Sequence, residues 1–236
     1  MNGKLYLIPI PLGDCSTEAV IPPHVKHIIS DLEYFIVENI RTVRRYIRAV
    51  DAQKKIDEIN FFILNKHTKP KEMETFLAPA LKGHSIGIIS EAGLPAIADP
   101  GASIVAMAHK QHIEVIPLVG PSSIFLALMA SGFNGQRFTF HGYLPIKPNE
   151  RTQTLKQIEK ESQKNNTSEI FMETPYRNNK LLADILKVCL KKTQLCIASN
   201  ISLENEYIHT KTIEQWQQEE INLHKKPTVF IIYSGS

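Results

Sequence analysis

Ser90 to Ile104 reads SEAGLPAIADPGASI and continues from the short apolar run Ser85–Ser90, SIGIIS. The run has the length and β-branched content of a buried strand. The stretch behind it is rich in Gly, Pro and Ala and carries two carboxylates. Asp99-Pro100 then predicts the opening of a helix, with Asp as N-cap and Pro at the first helical position. A strand, a Gly/Pro loop and a helix in this order are the building unit of α/β proteins. Whether the loop only turns the chain or also binds something depends on what lies on either side of it.

The same alternation extends in both directions. KLYLIPI reads as a strand, Ala19 to Ser30 as a helix and EYFIVEN as a strand. Arg41 to Val50 and Lys71 to Leu81 read as helices. After HSIGIIS come a helix over Ala102 to Gln111, the strand EVIPLVG, a helix over Ser122 to Ala130 and the strand RFTFHGYLP. This β-α pattern implies a mostly parallel sheet with helices on its faces. Pro145-Ile146-Lys147-Pro148 reads as a linker. Behind it the pattern restarts, with helices over Asn149 to Gln163, Arg177 to Leu190 and Ile213 to Glu220. The strands EIFME, QLCIASN, EYIHTKT and PTVFIIY fall among them. The expectation is an α/β fold of two α/β domains, 1–145 and 146–236, with a ligand cleft between them.

Composition narrows the class. The 236 residues are 43% hydrophobic and 22% charged, with a formal net charge of +3, ordinary for a globular protein and too weak alone to announce a nucleic-acid binder. No 18-residue apolar stretch exists, and prolines break the first residues, so no membrane span or leader is expected and a cytoplasmic location is the default. Cys15, Cys189 and Cys196 form no C-x-x-C pair, and an odd count argues against a disulfide framework. His24-x-x-His27 and His109-x-x-His112 lack a third ligand in an obvious position, so no metal site is expected.

Ligands in parallel sheets bind outside the carboxyl ends of the strands. Those ends carry Pro9 to Asp14, Glu38-Asn39, Ser90-Glu91, Gly120 to Ser123, His141, Glu173-Thr174 and Ser199-Asn200. Singly, each is an ordinary polar cap; together they describe a lined pocket. It is not a dinucleotide site, because Pro-Ile-Pro-Leu-Gly follows the first strand in place of G-x-G-x-x-G, and no Walker A sequence is present. In IRTVRRYIR, Arg41, Arg44, Arg45 and Arg48 recur at helical spacing on one face, opposite Val43, Ile47 and Val50. Four like charges repel by a few tenths of a kcal/mol per pair, and no acid lies within the stripe to relieve that. Either the helix is simply solvated, or the stripe receives phosphates, which arginine suits well.

These blocks together resemble the tetrapyrrole methylase superfamily of S-adenosylmethionine-dependent methyltransferases. The resemblance covers LYLIPIPLGD, EYFIVENIR, IISEAGLPAIADPG, VIPLVGPSSIFLALMASGFNGQRFTFHGYLP, FMETPYR and KPTVFII, nearly end to end. It is nearest the branch that methylates a ribose 2′-hydroxyl in small-subunit ribosomal RNA, and ribosomal RNA is the partner it implies. In that family the loop after Ser90 wraps the methyl donor. The resemblance therefore implies S-adenosylmethionine contacts from Glu91 to Pro95, including Leu94, and from Leu12, Ser123, Ile124 and Met172. Ile201 and Pro227 follow from the second half, and a homodimer is implied as well. For the base that a hydroxyl acceptor needs, Glu38, Glu173 and His141 are the candidates.

Some positions differ from that branch. Glu38-Asn39-Ile40-Arg41 stands for its Glu-Asp-Thr-Arg, and Ser90-Glu91-Ala92-Gly93-Leu94-Pro95 for its Ser-Asp-Ala-Gly-Thr-Pro. Its Arg-Glu-x-Thr-Lys is Ser199-Asn200-Ile201-Ser202-Leu203 here, and its Lys-Gly-Glu is Lys225-Lys226-Pro227. Two other readings stay open: methylation of a small anionic molecule such as a tetrapyrrole, and donor binding without catalysis.

Overall fold

A computed structural model describes residues 2–65 and 67–235. The chain divides into two compact units, Met1–Ser122 and Ser123–Ser236. Packing therefore parts after Ser122 and not at residue 145. The helix Ser123–Ser131 and the strand Phe138–Tyr143 belong with the second unit: the helix lies on its sheet, and the strand is an edge of it. Pro145 and Ile146 are no loose linker either, because both carbonyls accept from the guanidinium of buried Arg151.

The first unit is a parallel sheet of β1 (Leu5–Leu7), β2 (Tyr34–Val37), β3 (Asn60–Ile63), β4 (Ile86–Ile89) and β5 (Val115–Pro117), in the order β3-β2-β4-β1-β5. Every strand runs the same way, as the alternation predicts. β4 is buried along its whole length because helices cover both faces. One face packs Ile8, Phe35 and Val37 against Val25, Ile29, Val43 and Ile47. The other packs Leu5, Ile36 and Ile88 against Phe76, Leu77, Ile104 and Ala108.

Helix ends follow the prolines. The helix expected over Ala19 to Ser30 is two, Thr17–Val20 and Pro23–Asp31, because Pro23 removes an N–H and starts the second. Pro79 similarly separates Pro70–Phe76 from Ala78–Leu81. β3 has no counterpart in the expected elements.

The second unit holds β6 (Phe138–Tyr143), β7 (Ser168–Met172), β8 (Gln194–Ser199), β9 (Tyr207–Thr212) and β10 (Thr228–Tyr233) in the order β6-β7-β10-β8-β9. Only β6 and β7 are parallel; β10 runs against both β7 and β8, and β9 against β8. The helices Pro148–Asn165, Asn178–Val188 and Ile213–Trp216 supply Leu155, Ile158, Leu181, Ile185 and Trp216 to a core against Phe171, Ile197 and Phe230. Among the described residues no helix is long and apolar enough to cross a membrane, and no group of three His, Cys, Asp or Glu side chains is placed to hold a metal.

Candidate active site

In the first unit the parallel arrangement sends all five strand ends to one edge. β1 runs out into Pro9 to Leu12, β2 into Glu38, β4 into Ser90 and Glu91, and β5 into Leu118 to Pro121. Ile10 and Gly93 form an antiparallel bridge with reciprocal N–H to carbonyl bonds of 3.0 Å, which stitches the first loop to the third. Gly93 has φ +71, and a Cβ there would stand 3.1 Å from Leu12 Cδ2 and 3.4 Å from the Pro121 carbonyl oxygen. Gly120 permits a closer approach still, since a Cβ on it would lie 2.1 Å from Pro9 Cβ. From the helix Ile40–Val50, the Tyr46 hydroxyl donates to the Pro9 carbonyl at 2.8 Å. The three loops are thus held backbone to backbone, with few side chains intervening.

Past Gly93 the chain is strained. Ala96 and Ala98 sit at φ 65 and φ 60, a region costing about 1–2 kcal/mol for a residue with a Cβ. Asp99 offsets the cost: its carboxylate accepts from the Ala96 N–H at 2.9 Å and from the Gly101 N–H at 2.7 Å. The helix starts at Gly101 with Pro100, not Asp99, as its N-cap, and the Asp99 carboxylate instead accepts from the first helical N–H. Strain fixed by such a clamp is found where backbone is aimed at a ligand.

Glu38 is the chemically distinctive group of this edge. It lines a crevice with room for about one water, shared with Ser90, Asp99 and Gly101 and floored by Ile36, Ile88 and Leu64. Burial, followed by the charges of Asp99 and Glu91, pushes its carboxyl up to about 7. Burial raises Asp99 as well, and the Gly101 and Ala96 N–H groups oppose that rise. A carboxyl that titrates near neutrality can take up a proton there.

Immediately beyond Glu38, Asn39 caps the helix Ile40–Val50 by accepting from the Arg41 N–H at 2.9 Å. Arg41, Arg44, Arg45 and Arg48 are all exposed, and Val43, Tyr46 and Ile47 form the buried face. Among the described residues none of the four pairs with a carboxylate; Arg44 instead lies 5.6 Å above the Phe61 ring. Glu91 is exposed, and Leu12 and Leu94 are half-buried beside Gly93.

In the second unit β7 and β8 both run against β10, so their carboxyl ends meet the start of β10. Met172 pairs with Val229, Ser199 with Thr228, and the Asn200 N–H donates to the Pro227 carbonyl at 2.9 Å. The expected residues Met172, Ile201 and Pro227 therefore share one sheet edge with Glu173. Ser123 and Ile124 open the helix Ser123–Ser131.

Glu173 differs sharply from Glu38. Burial alone would raise it, but the Arg177 hydrogen bond at 2.6 Å, the Thr174 N–H and the charges of Arg177 and Arg151 hold it below the usual carboxylate range. His141 sits inside β6, next to an irregularity where Gly142 has φ +67. Its Nε2 is 2.5 Å from the buried Glu169 carboxylate. The cysteines remain thiols, with Cys189 and Cys196 raised by burial to about 12 and about 11. Asp99 and Arg177 are the site-forming residues that sequence reasoning passed over. Arg177 follows Glu173 at i+4, which could have flagged the pair.

The family model described as Tetrapyrrole (Corrin/Porphyrin) Methylases matches residues 4–217. The chain belongs to the tetrapyrrole methylase family. Proteins named ribosomal RNA small subunit methyltransferase I are among its relatives. That of Buchnera aphidicola subsp. Schizaphis graminum is 30% identical over 99% of this chain and 79% of its own. That of Escherichia coli O157:H7 is 29% identical over 98% and 78%. The crystal structure of the methyltransferase CobJ superposes with a TM-score of 0.65 at 16% identity, covering 98% of this chain and 94% of that one, a likeness of fold. The chain is a methyltransferase, and the methyl donor its family implies is S-adenosylmethionine.

Proposed function

We propose that the chain transfers a methyl group from S-adenosylmethionine to a ribose 2′-hydroxyl of small-subunit ribosomal RNA. The observation that carries this reading is the match over 98–99% of the chain to proteins named for that RNA. The donor's sulfonium supplies an already activated methyl group. The protein's own task is to align the acceptor, keep water out and take the hydroxyl proton.

Glu38 is the base in this reading. Its carboxylate accepts the hydroxyl proton as the oxygen–methyl bond forms and the methyl–sulfur bond breaks. Glu173 is too weak a base, being held ionised by Arg177, and His141 is engaged with Glu169. The backbone around Ile10, Gly93 and Ala96 suits a donor read by main-chain groups. Besides Arg177 Nε, two buried polar atoms of the second unit have no partner among the described residues. They are the Ser202 hydroxyl, next to Ile201, and the Asn178 carbonyl oxygen, whose amide nitrogen holds the Lys226 carbonyl. Orphans of this kind fit a polar ligand. Leu12, Glu91, Leu94, Ser123, Ile124, Met172, Ile201 and Pro227 are the donor residues of this reading. Arg41, Arg44, Arg45 and Arg48 receive RNA phosphates. A homodimer in the cytoplasm completes it, and sedimentation at several concentrations checks the dimer.

The test is incubation with methyl-labelled S-adenosylmethionine and small subunits from a host lacking this gene. Label in the RNA, recovered as a 2′-O-methylated nucleoside, is expected. Label confined to small molecules would move the function to a tetrapyrrole-like acceptor.

A further inference from the structure

At the strand edge of the second unit, two exposed tyrosines stand beside unopposed positive charge. Tyr143 ends β6, where it is paired in register with Met172, and is 57% exposed; Tyr176 follows β7 and is 70% exposed. The Tyr176 and His224 rings meet T-shaped with centroids 5.9 Å apart, and Tyr176 stays mostly exposed.

The surface under them is fixed. The Lys225 N–H donates to the Pro175 carbonyl at 3.0 Å, and the Asn178 amide to the Lys226 carbonyl at 2.7 Å. Asn179 accepts from the Leu223 N–H at 2.7 Å and donates to Asn222 at 2.9 Å. Residues 175–179 and 222–226 therefore form one rigid plate. Lys225, Lys226 and His224 stand exposed on it, and Lys225 is held at φ 61. Among the described residues no carboxylate pairs with Lys225 or Lys226. Buried Glu173 fixes one nitrogen of Arg177, whose side chain remains 38% exposed.

We infer that Tyr143, Tyr176, Arg177, Lys225 and Lys226 form a platform for single-stranded RNA, with bases stacked on the tyrosines and phosphates on the cations. The inference rests on the proposed RNA substrate and names how an unpaired segment of it is gripped. Rings alone would suit any apolar partner, and cations alone any polyanion. The two interleaved on a rigid plate fit a chain that presents a flat base and a phosphate at each step. Duplex RNA keeps its base faces covered and gains only the phosphate contacts.

The test is binding of a short labelled single-stranded oligoribonucleotide of mixed sequence to the full chain, with inorganic polyphosphate as a second probe. Tyr176→Ala should weaken RNA binding roughly 5- to 100-fold, the range of one lost base stack, and leave polyphosphate binding unchanged. Tyr176→Phe, which keeps the ring, should bind like the unaltered protein. Lys225→Gln with Lys226→Gln should weaken both probes and flatten the slope of log K against log salt by about 1.4, or about 0.7 per lost phosphate contact. Unchanged RNA binding by Tyr176→Ala, or an equal loss for polyphosphate, would overturn the platform and leave the RNA substrate standing. No RNA binding by the unaltered protein would overturn both.

Discussion

Glu38 and Glu173 are the same residue type in the same topological place, directly after a strand, one in each unit. Their surroundings give them opposite chemistry. Glu38 faces two further carboxylates, Asp99 and Glu91, and is pushed up to about 7. Glu173 is clasped by Arg177 and the Thr174 N–H and is held down. The parallel sheet gathers three acids from the loops after β2 and β4 around a small crevice, whereas the mixed sheet places its acid next to a cation four residues on. A strand-end carboxylate is thus raised or lowered according to what the neighbouring loops bring to it, which in the proposed reading makes one a base and the other an anchor.

The largest expected effect comes from breaking the proposed base. Glu38→Gln should slow methyl transfer by about 10²- to 10⁴-fold, the range of general-base catalysis, while donor affinity by calorimetry stays put. The anchor responds differently. Arg177→Met strands the Glu173 carboxylate and should lower the denaturation midpoint, by less than the loss of a fully buried pair because Arg177 is solvated. Its readout is chemical denaturation, and an unchanged midpoint would return Glu173 to the list of candidate bases.

Stability against pH should separate the two acids as well. A carboxyl raised in the folded state binds its proton more tightly there than in the unfolded chain. Glu38 therefore contributes stability that is present below its unfolded value of about 4.5 and lost as pH rises through about 7. Glu38→Gln should be the more stable protein at about pH 8, by on the order of 1 kcal/mol after solvent screening. Glu173 is lowered, so its contribution is present above its unfolded value and lost as pH falls through its folded one.

A comparable loss is expected at the stitched loops, where Gly93→Ala places a Cβ at φ +71 against Leu12. It should cost about 1–2 kcal/mol and weaken donor binding. The smallest effect belongs to the arginine face. Arg44→Gln with Arg48→Gln should flatten the salt dependence of RNA binding by about 1.4 units and leave the fold and donor affinity intact. An unchanged slope would make the stripe a solvated helix face.

Much of this was legible. Short apolar runs separated by helical spacings announced the parallel sheet, and Asp99-Pro100 announced its helix. β3 escaped because Asn60–Ile63 is an edge strand, half-exposed and without alternation. Pro145 and Pro148 drew the domain boundary to themselves. Only the long-range contacts of Arg151 reveal that segment as packed, and nothing in Gly120-Pro121-Ser122 marks the real divide. The sheet of the second unit reads like the first in sequence, because strand direction is set by pairing partners and not by composition. The three candidate bases could not be ranked for a similar reason. Asp99 and Glu91 reach Glu38 from another loop, and His141 meets Glu169 across two strands.

The most direct measurement is the pH dependence of single-turnover methyl transfer to small-subunit RNA at saturating donor. In the unaltered protein the rate should climb with pH and level off, with a midpoint near the Glu38 value of about 7. Glu173→Gln should keep that midpoint, and Glu38→Gln should lose the climb. A profile that is flat in the unaltered protein, or a climb that survives Glu38→Gln, would contradict Glu38 as the base.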